Sequence, residues 1–379
     1  MNAVRKWVVV EMKVLHIDTE ISWGGGQNQL SLLLKGLNQV NVENYVAAKP
    51  RSKIAASMES VAKGVLLLPF LGELDLFSAF VLAQYVKKHR IEIISCHTGH
   101  AHTMGLIVKK LVPSIKLIIH RRVAFNVPRN FFSRRKYLSI RIDGYIAVCE
   151  AIRQNLIKYG VPKEKIDLIP STIDESFFLA LDDQSLKIEL ARQYQFDPNA
   201  TIILSASRLT KEKGIETLLD ACRRLKETSE KFHCLIVGKG DLQESLEKKA
   251  SDWGLSKTVS FLGFRRDVVK IMQVADIFVL PSFMEGRGTS LLEALYTGCY
   301  LVGSNVGGIP EIIKNQNVGR LFPPGDAASL ATTINQAIEL RPSKEHLREL
   351  GREIAKDHSL EKSIQKHLEL YKKVLDAKT

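Results

Sequence analysis

One alternation, run through twice, constrains this chain more than anything else in it. Short apolar runs ("KVLHI", "YVAA", "LLLPF", "IEIISC", "KLIIH", "GYIAV", "IDLIP") take turns with amphipathic stretches such as "NQLSLLLKGLNQV" and "EAIRQNLIKYG". The second half repeats the plan with "TIILSAS", "HCLIVG", "VSFLG", "DIFVLPS" and "YLVGS". Continuous apolar strands separated by helices predict parallel sheets covered on both faces. Two such series predict an α/β chain of two doubly wound domains. The polar stretch over 179–200 breaks the alternation, which places the domains at 1–178 and 179–359. The final helical stretch, "LEKSIQKHLELYKKVLDA", has no strand after it, so 360–379 is expected to pack back on the first domain. "MKVLHID" reads as the natural start of such a domain, with Met12 as the working start and 1–11 as an extension.

Composition narrows the function classes. At 379 residues, with 45% apolar and 25% charged content, the chain has the profile of a soluble globular protein and not of a disordered one. No apolar run reaches the roughly 18 residues of a membrane span. Glu11, Lys13 and Asp18 interrupt the first apolar stretch too early for a signal peptide. Five scattered cysteines without a CxxC pair argue against disulfides and zinc and for a reducing cytoplasm. The net charge of +13 is unevenly spread: residues 1–170 hold 25 Lys/Arg against 12 Asp/Glu, and the remainder holds 29 against 29. One basic lobe with an anionic partner and one neutral lobe follow from that split.

In open α/β sheets ligands bind beyond the carboxyl ends of the strands, so the turns after strands are where chemistry belongs. After the first strand, Gly24, Gly25 and Gly26 in "SWGGGQNQL" allow positive φ and close approach to backbone amides; a tight turn would read the same way. After the first strand of the second half, Arg208 and Lys213 bracket a loop into a helix, a good diphosphate site if they are not simply solvated. "VGKGD" (237–241) and "VGGIPEII" (306–313) are further glycine turns. "PSFMEGRGTSLLEAL" sets Glu285 in a glycine-flanked loop and Glu293 eight positions on. Ser290 and Glu293 fit a capping box, Glu285 fits an exposed turn, and a pair of catalytic carboxylates is a third reading. His97, His100 and His102 make an H-x-x-H-x-H at a strand end, not on one helical face, which argues against metal. His120 closes the strand "KLIIH" and sits where a ligand would bind.

Taken in order, "SRLTKEKG", "VGKGD", "FLGF", "ADIFVLPSFMEGRGTSLLEAL" and "GGIPEII" resemble the retaining glycosyltransferases of family 4. The resemblance runs from about Gly24 to about Gly325. It implies the GT-B fold, two Rossmann-like domains facing across a cleft, with the acceptor on the first and a nucleotide sugar on the second. Glu285 and Glu293 fit the family's E-x7-E motif, by which Glu285 approaches the donor sugar and Glu293 the ribose. Arg208 and Lys213 fit the diphosphate pair, and Gly25, Gly26 and His120 fit the glycine loop and the central-strand histidine of the first domain. Gly238, Gly240, Gly288, Thr289 and Ser290 fall to the donor site by the same resemblance. This chain departs from the pattern at Gln27, often Glu; at "PSTID" (170–174), usually "PNGID"; and at Arg287, commonly apolar. "EGRGTSLLEAL" and "GGGQNQL" look most like enzymes of bacterial lipopolysaccharide or surface-polysaccharide assembly.

The implied reaction is retaining transfer from a nucleotide-diphosphate sugar to a glycan or glycolipid hydroxyl, without cofactor or metal. Two rivals are weighed. A nicotinamide oxidoreductase lacks its GxGxxG fingerprint, and a nucleic-acid binder lacks a reading motif in its basic half. The stretch 121–141 holds seven Lys/Arg, no acid, and Phe125, Phe131, Phe132 and Tyr137. It reads either as a connector docked on the core or as an interfacial segment. In the second reading Arg121, Arg122, Arg134, Arg135 and Lys136 meet an acceptor or an anionic membrane, placing the enzyme peripherally on the inner face of the cytoplasmic membrane.

Overall fold

The computed structural model describes residues 12–123, 130–173, 183–228, 232–340 and 342–377. The proposed extension 1–11, Phe125 and the expected boundary at 178/179 lie outside these residues. The chain divides into two compact units, Met1–Thr172 with His358–Thr379, and Ile173–Asp357.

Among the described residues the first unit holds seven strands: β1 (Met12–Asp18), β2 (Val42–Ala48), β3 (Gly64–Leu67), β4 (Ile93–Cys96), β5 (Lys116–Arg121), β6 (Gly144–Ala147) and β7 (Ile166–Leu168). They form one parallel sheet in the order β3-β2-β1-β4-β5-β6-β7. Strand residues alternate between faces. Leu15, Ile17, Ile94, Leu117 and Ile119 enter one core layer. Val14, Ile93 and Ile118 enter the other, beneath the helices Gly25–Asn38 and Leu360–Asp376. The same period of two carries His16, Ser95 and His120 onto that second face. The C-terminal helix lies on the first unit: a Cβ added at Gly36 would stand 2.6 Å from Ile364. Only glycine lets these helices approach so closely.

The second unit holds β8 (Thr201–Ala206), β9 (Phe232–Val237), β10 (Val259–Gly263), β11 (Ile277–Leu280), β12 (Tyr300–Ser304) and β13 (Gly319–Phe322). These are parallel in the order β10-β9-β8-β11-β12-β13. The sequence reading missed β13. It is a four-residue edge strand carrying Arg320, so it shows no continuous apolar run. Strand order reverses between β1 and β4 in the first sheet and between β8 and β11 in the second. These reversals open a crevice at the carboxyl ends of each pair.

Candidate functional site

In the second unit the loops after β8 and β11 flank the strand-order reversal, and they carry the residues singled out above. Phe283 N donates to Glu212 O at 2.8 Å, joining the two loops, and Gly308 N donates to Gly286 O at 2.7 Å, joining the loop after β12. On this stitched surface Lys213 Nζ donates to Glu285 Oε2 at 2.6 Å, with side chains 19% and 14% exposed. Ser282 Oγ donates to the same oxygen at 3.2 Å, and Gly286 N reaches Oε1 at 3.3 Å. Glu285 is therefore held rigidly and is not a free turn residue. Arg208 is exposed and has no ion-pair partner among the described residues. An exposed cation outside any ion pair of the described residues, at a sheet's carboxyl end, is suited to an anionic ligand.

The capping-box reading of Ser290 and Glu293 is corrected by the structure. The helix runs Thr289–Thr297 with Gly288 as its N-cap, so Ser290 already lies inside the helix and Glu293 is its fifth residue. Gly288 holds φ 71°, the left-handed region that glycine enters without a steric penalty. The first amides of this helix, from Thr289 and Ser290 on, have no intrahelical acceptor. Glu293 is partly covered and finds no hydrogen-bond partner among the described residues; burial raises its carboxyl pKa to about 7. Such a carboxylate is poised for hydroxyl donors from outside the chain.

Two pairs of glycines gain a local structural account. Gly25 and Gly26 are absent from the positive-φ glycines, so the backbone does not demand them there. A Cβ at Gly25 would meet open space, and one at Gly26 would only graze Arg122, which leaves room for close approach to the helix start. Gly238 and Gly240 are explained by packing: added Cβ atoms would stand 1.8 Å from Ser207 O and 2.3 Å from Leu209 O. They let the loop after β9 lie against the loop after β8, and so support Arg208 from behind.

In the first unit His120 belongs to a buried polar chain. Arg122 Nη2, always a donor, bonds His97 Nδ1 at 3.3 Å, so His97 carries its proton on Nε2. That nitrogen lies 3.1 Å from His16 Nδ1, and His16 Nε2 lies 3.1 Å from Asn44 Oδ1. Ser95 Oγ stands 2.8 Å from His120 Nε2. The C-terminal helix adds His367, whose Nδ1 donates to Ser363 O at 2.8 Å and whose ring stacks 5.7 Å from that of His120. Burial depresses all four imidazoles, His16 to about 3, His367 to about 4, and His97 and His120 well below the ordinary value. Four neutral histidines result. A small cavity of about 20 Å³, lined by His120, Arg122, Gln29 and His367 among others, adjoins two of them. Of the other two histidines of the H-x-x-H-x-H run, His100 bonds Gly72 O on the surface, and His102 is buried edge-on to Tyr137. The sequence reading named His120 and passed over His16, Ser95 and His367. Their shared face was readable from the period of two, but not their mutual contact.

The basic stretch is also partly corrected. Arg121 is buried over the Tyr137 ring, 5.2 Å from its centroid, and Tyr137 itself is core. Arg122 serves the histidines. Lys136 bonds Gly99 O at 2.7 Å and Glu73 at 3.3 Å. Arg134 and Arg135 remain exposed.

A profile described as glycosyl transferases group 1 matches residues 187–354, and one described as glycosyltransferase family 4 matches residues 23–177. The chain belongs to the family 4 glycosyltransferases. The chain is 36% identical over 194 residues to the amylovoran biosynthesis glycosyltransferase AmsK of Erwinia amylovora, covering 48% of this chain and 44% of that protein. It is 27% identical over 276 residues to WcaL, a putative colanic acid biosynthesis glycosyltransferase of Escherichia coli K12, covering 69% and 64%. The chain thus spans about half to two-thirds of these relatives' length. HepE of Anabaena, solved with UDP and glucose, shares the GT-B fold at TM-score 0.82 and 21% identity, over 96% of this chain and 100% of that one.

The chain's departures from the family pattern sit within specific local contacts. Gln27 Nε2 donates to buried Asp18 at 3.0 Å, where a glutamate would set two carboxylates against each other. Arg287 is buried and bonds Glu311 at 2.5 Å, tying the loop after β11 to the "GGIPEII" turn. Within "PSTID", Thr172 N donates to Gln29 Oε1 at 2.8 Å, and Gln29 Nε2 returns a bond to Thr172 O at 2.7 Å.

Proposed function

We propose that this glycosyltransferase moves a sugar, with retention of anomeric configuration, from a nucleoside-diphosphate sugar to a hydroxyl of a glycan or glycolipid acceptor in bacterial lipopolysaccharide or surface-polysaccharide assembly. The Lys213–Glu285 pair carries the reading: a cation and a carboxylate held 2.6 Å apart at the sheet reversal, with Arg208 open beside them. Breaking the bond between the anomeric carbon and the diphosphate oxygen leaves negative charge on the diphosphate. Lys213, Arg208 and the amides at the start of Thr289–Thr297 stabilise that charge, which makes a metal ion unnecessary. The acceptor oxygen bonds the anomeric carbon on the same face, and its proton passes to the departing diphosphate. Glu285, already fixed by three donors, orients sugar hydroxyls; Glu293 accepts from the ribose. His120, held neutral, is a hydrogen-bonding group and not a proton carrier. HepE's bound UDP supports the donor class.

The acceptor is assigned to the first unit because its residues carry the positive excess. The exposed Arg134 and Arg135 support a peripheral place on the inner face of the cytoplasmic membrane. The test is a panel of nucleoside-diphosphate sugars, screened by thermal shift and hydrolysis in excess chelator, with the anomer of the first product read by NMR. One donor should stabilise and turn over, and its product should keep the donor's configuration. No shift and no turnover with any donor would end the reading. Inversion would end the retaining part, and loss of turnover in chelator the metal-free part.

A further inference from the structure

The segment over 71–80, which leads into the helix Leu76–His89, turns its apolar side chains outward. Leu71, Leu74, Phe77 and Phe80, together with Phe131 and Phe132, are between 58% and 86% exposed. Leu76 adds to the same stretch. Soluble surfaces rarely gather so many large apolar groups without a partner for them.

The two segments are neighbours. Lys136, on the helix Phe131–Tyr137, bonds Glu73 at 3.3 Å, and both segments dock on the start of the helix Gly99–Leu111, through Lys136 to Gly99 O and His100 to Gly72 O. The two carboxylates of 71–80 are already committed. Glu73 takes Lys136 and the Thr103 hydroxyl, and Asp75 caps its helix, accepting from Ser78 N at 2.9 Å and Leu71 N at 3.0 Å. What points out is apolar, and what rims it is basic. Along the exposed face of Leu76–His89 the order is Phe77, Phe80, Gln84, then Lys87 and Lys88, one residue per turn of helix or nearly so. Arg134 and Arg135 are exposed one turn along the same helix from the phenylalanines of the second segment.

We propose that residues 71–80 and 131–135 form one membrane-binding face, whose leucines and phenylalanines enter the headgroup boundary of an anionic bilayer while the lysines and arginines stay at the phosphates. An apolar wedge behind a basic rim is the pattern of an interfacial element. A second copy of the chain fits worse, since it would bring two basic rims together. The inference deepens the peripheral placement proposed above and rests on it. It replaces the wider basic stretch, of which Arg121 and Arg122 are covered, with two specific segments.

The test is cosedimentation of the full chain with vesicles of phosphatidylcholine alone or mixed with phosphatidylglycerol. Wild-type protein should bind the mixed vesicles and be released by high salt. Leu74→Ser and Phe77→Ser should each weaken binding about tenfold, the worth of withdrawing one large apolar side chain from a bilayer. Arg134→Ser with Arg135→Ser should weaken it roughly 30-fold at low salt and far less at high salt. All four positions are exposed, so melting temperature and nucleotide-sugar hydrolysis in the absence of vesicles should stay at wild-type levels. That separates failure here from failure of the transferase reading. Unchanged binding by the serine variants would overturn the assignment, as would equal binding to neutral vesicles. A dimer that the same substitutions dissociate, with no vesicle binding, would overturn it in favour of self-association.

Discussion

Replacing Lys213 and Arg208 by alanine should have the same effect on turnover and different effects on stability. In the proposed mechanism both lose one contact to a leaving diphosphate, worth about 2–4 kcal/mol, or roughly 30- to 1,000-fold in kcat. Arg208 is exposed and makes no ion pair among the described residues, so Arg208→Ala should shift Tm by no more than about 2 °C. Lys213 sits 2.6 Å from Glu285 with both side chains mostly covered. Its removal strands a carboxylate that keeps only Ser282 Oγ and Gly286 N. A fully buried stranded partner costs about 3–5 kcal/mol; two surviving donors bring this to about 2 kcal/mol, or about 4–8 °C in Tm for a unit of this size. The assay pairs initial rates on the identified donor with thermal melts. The double variant Lys213→Met with Glu285→Gln serves as the control. It should regain stability, because a neutral pair has no stranded charge, and should remain inactive. If Lys213→Ala lowered Tm yet turned over normally, the lysine would be no more than the counter-ion of Glu285, and its diphosphate role would be refuted.

Three further outcomes follow from charges the fold has covered. Glu293 is raised from 4.5 to about 7 by burial, so the stability of its neutral form is full below about pH 4.5 and is lost as pH rises through about 7, a change of about 3 kcal/mol. Glu293→Gln should therefore raise Tm near pH 8 relative to wild type, not near pH 4.5, while weakening nucleoside-diphosphate binding by calorimetry. His367 is lowered from 6.5 to about 4, so its contribution is present above about pH 6.5 and is lost as pH falls through about 4; His367→Leu should flatten acid destabilisation in melts across that window. Arg287→Met removes the ion pair to Glu311 beside a rigid turn and should lower stability in urea by about 2 kcal/mol, with Glu311→Gln restoring part of it.

The strands were legible because both sheets are parallel and covered on each side, so nearly every strand is a continuous apolar run. β13 escaped because an edge strand containing Arg320 needs no such run. Sequence order also carried the family, since the glycine turns, the cation pair and the two glutamates follow successive strands whatever their final positions. The helix start was misread at Ser290 because a capping box is a local pattern, and the left-handed Gly288 two residues earlier took the cap instead.

By itself, then, the sequence determined what its local chemistry dictates: the element types, the doubly wound class, the loops that could hold a ligand, and Glu285 as a residue of one such loop. Tertiary structure decided what depends on residues far apart in the chain. Lys213 meets Glu285 across 72 positions because β8 and β11 are neighbours in the sheet, an order no periodicity encodes. His16, Ser95, His97 and His120 share one buried chain because β1, β4 and β5 lie side by side, and burial then fixes their neutral state. Phe77 and Phe80 have the spacing of a core-facing pair, yet they are exposed while Ala79, Leu82 and Ala83 are buried. Periodicity tells which side chains share a face; only the packing of the neighbouring segments decides whether that face meets protein or solvent.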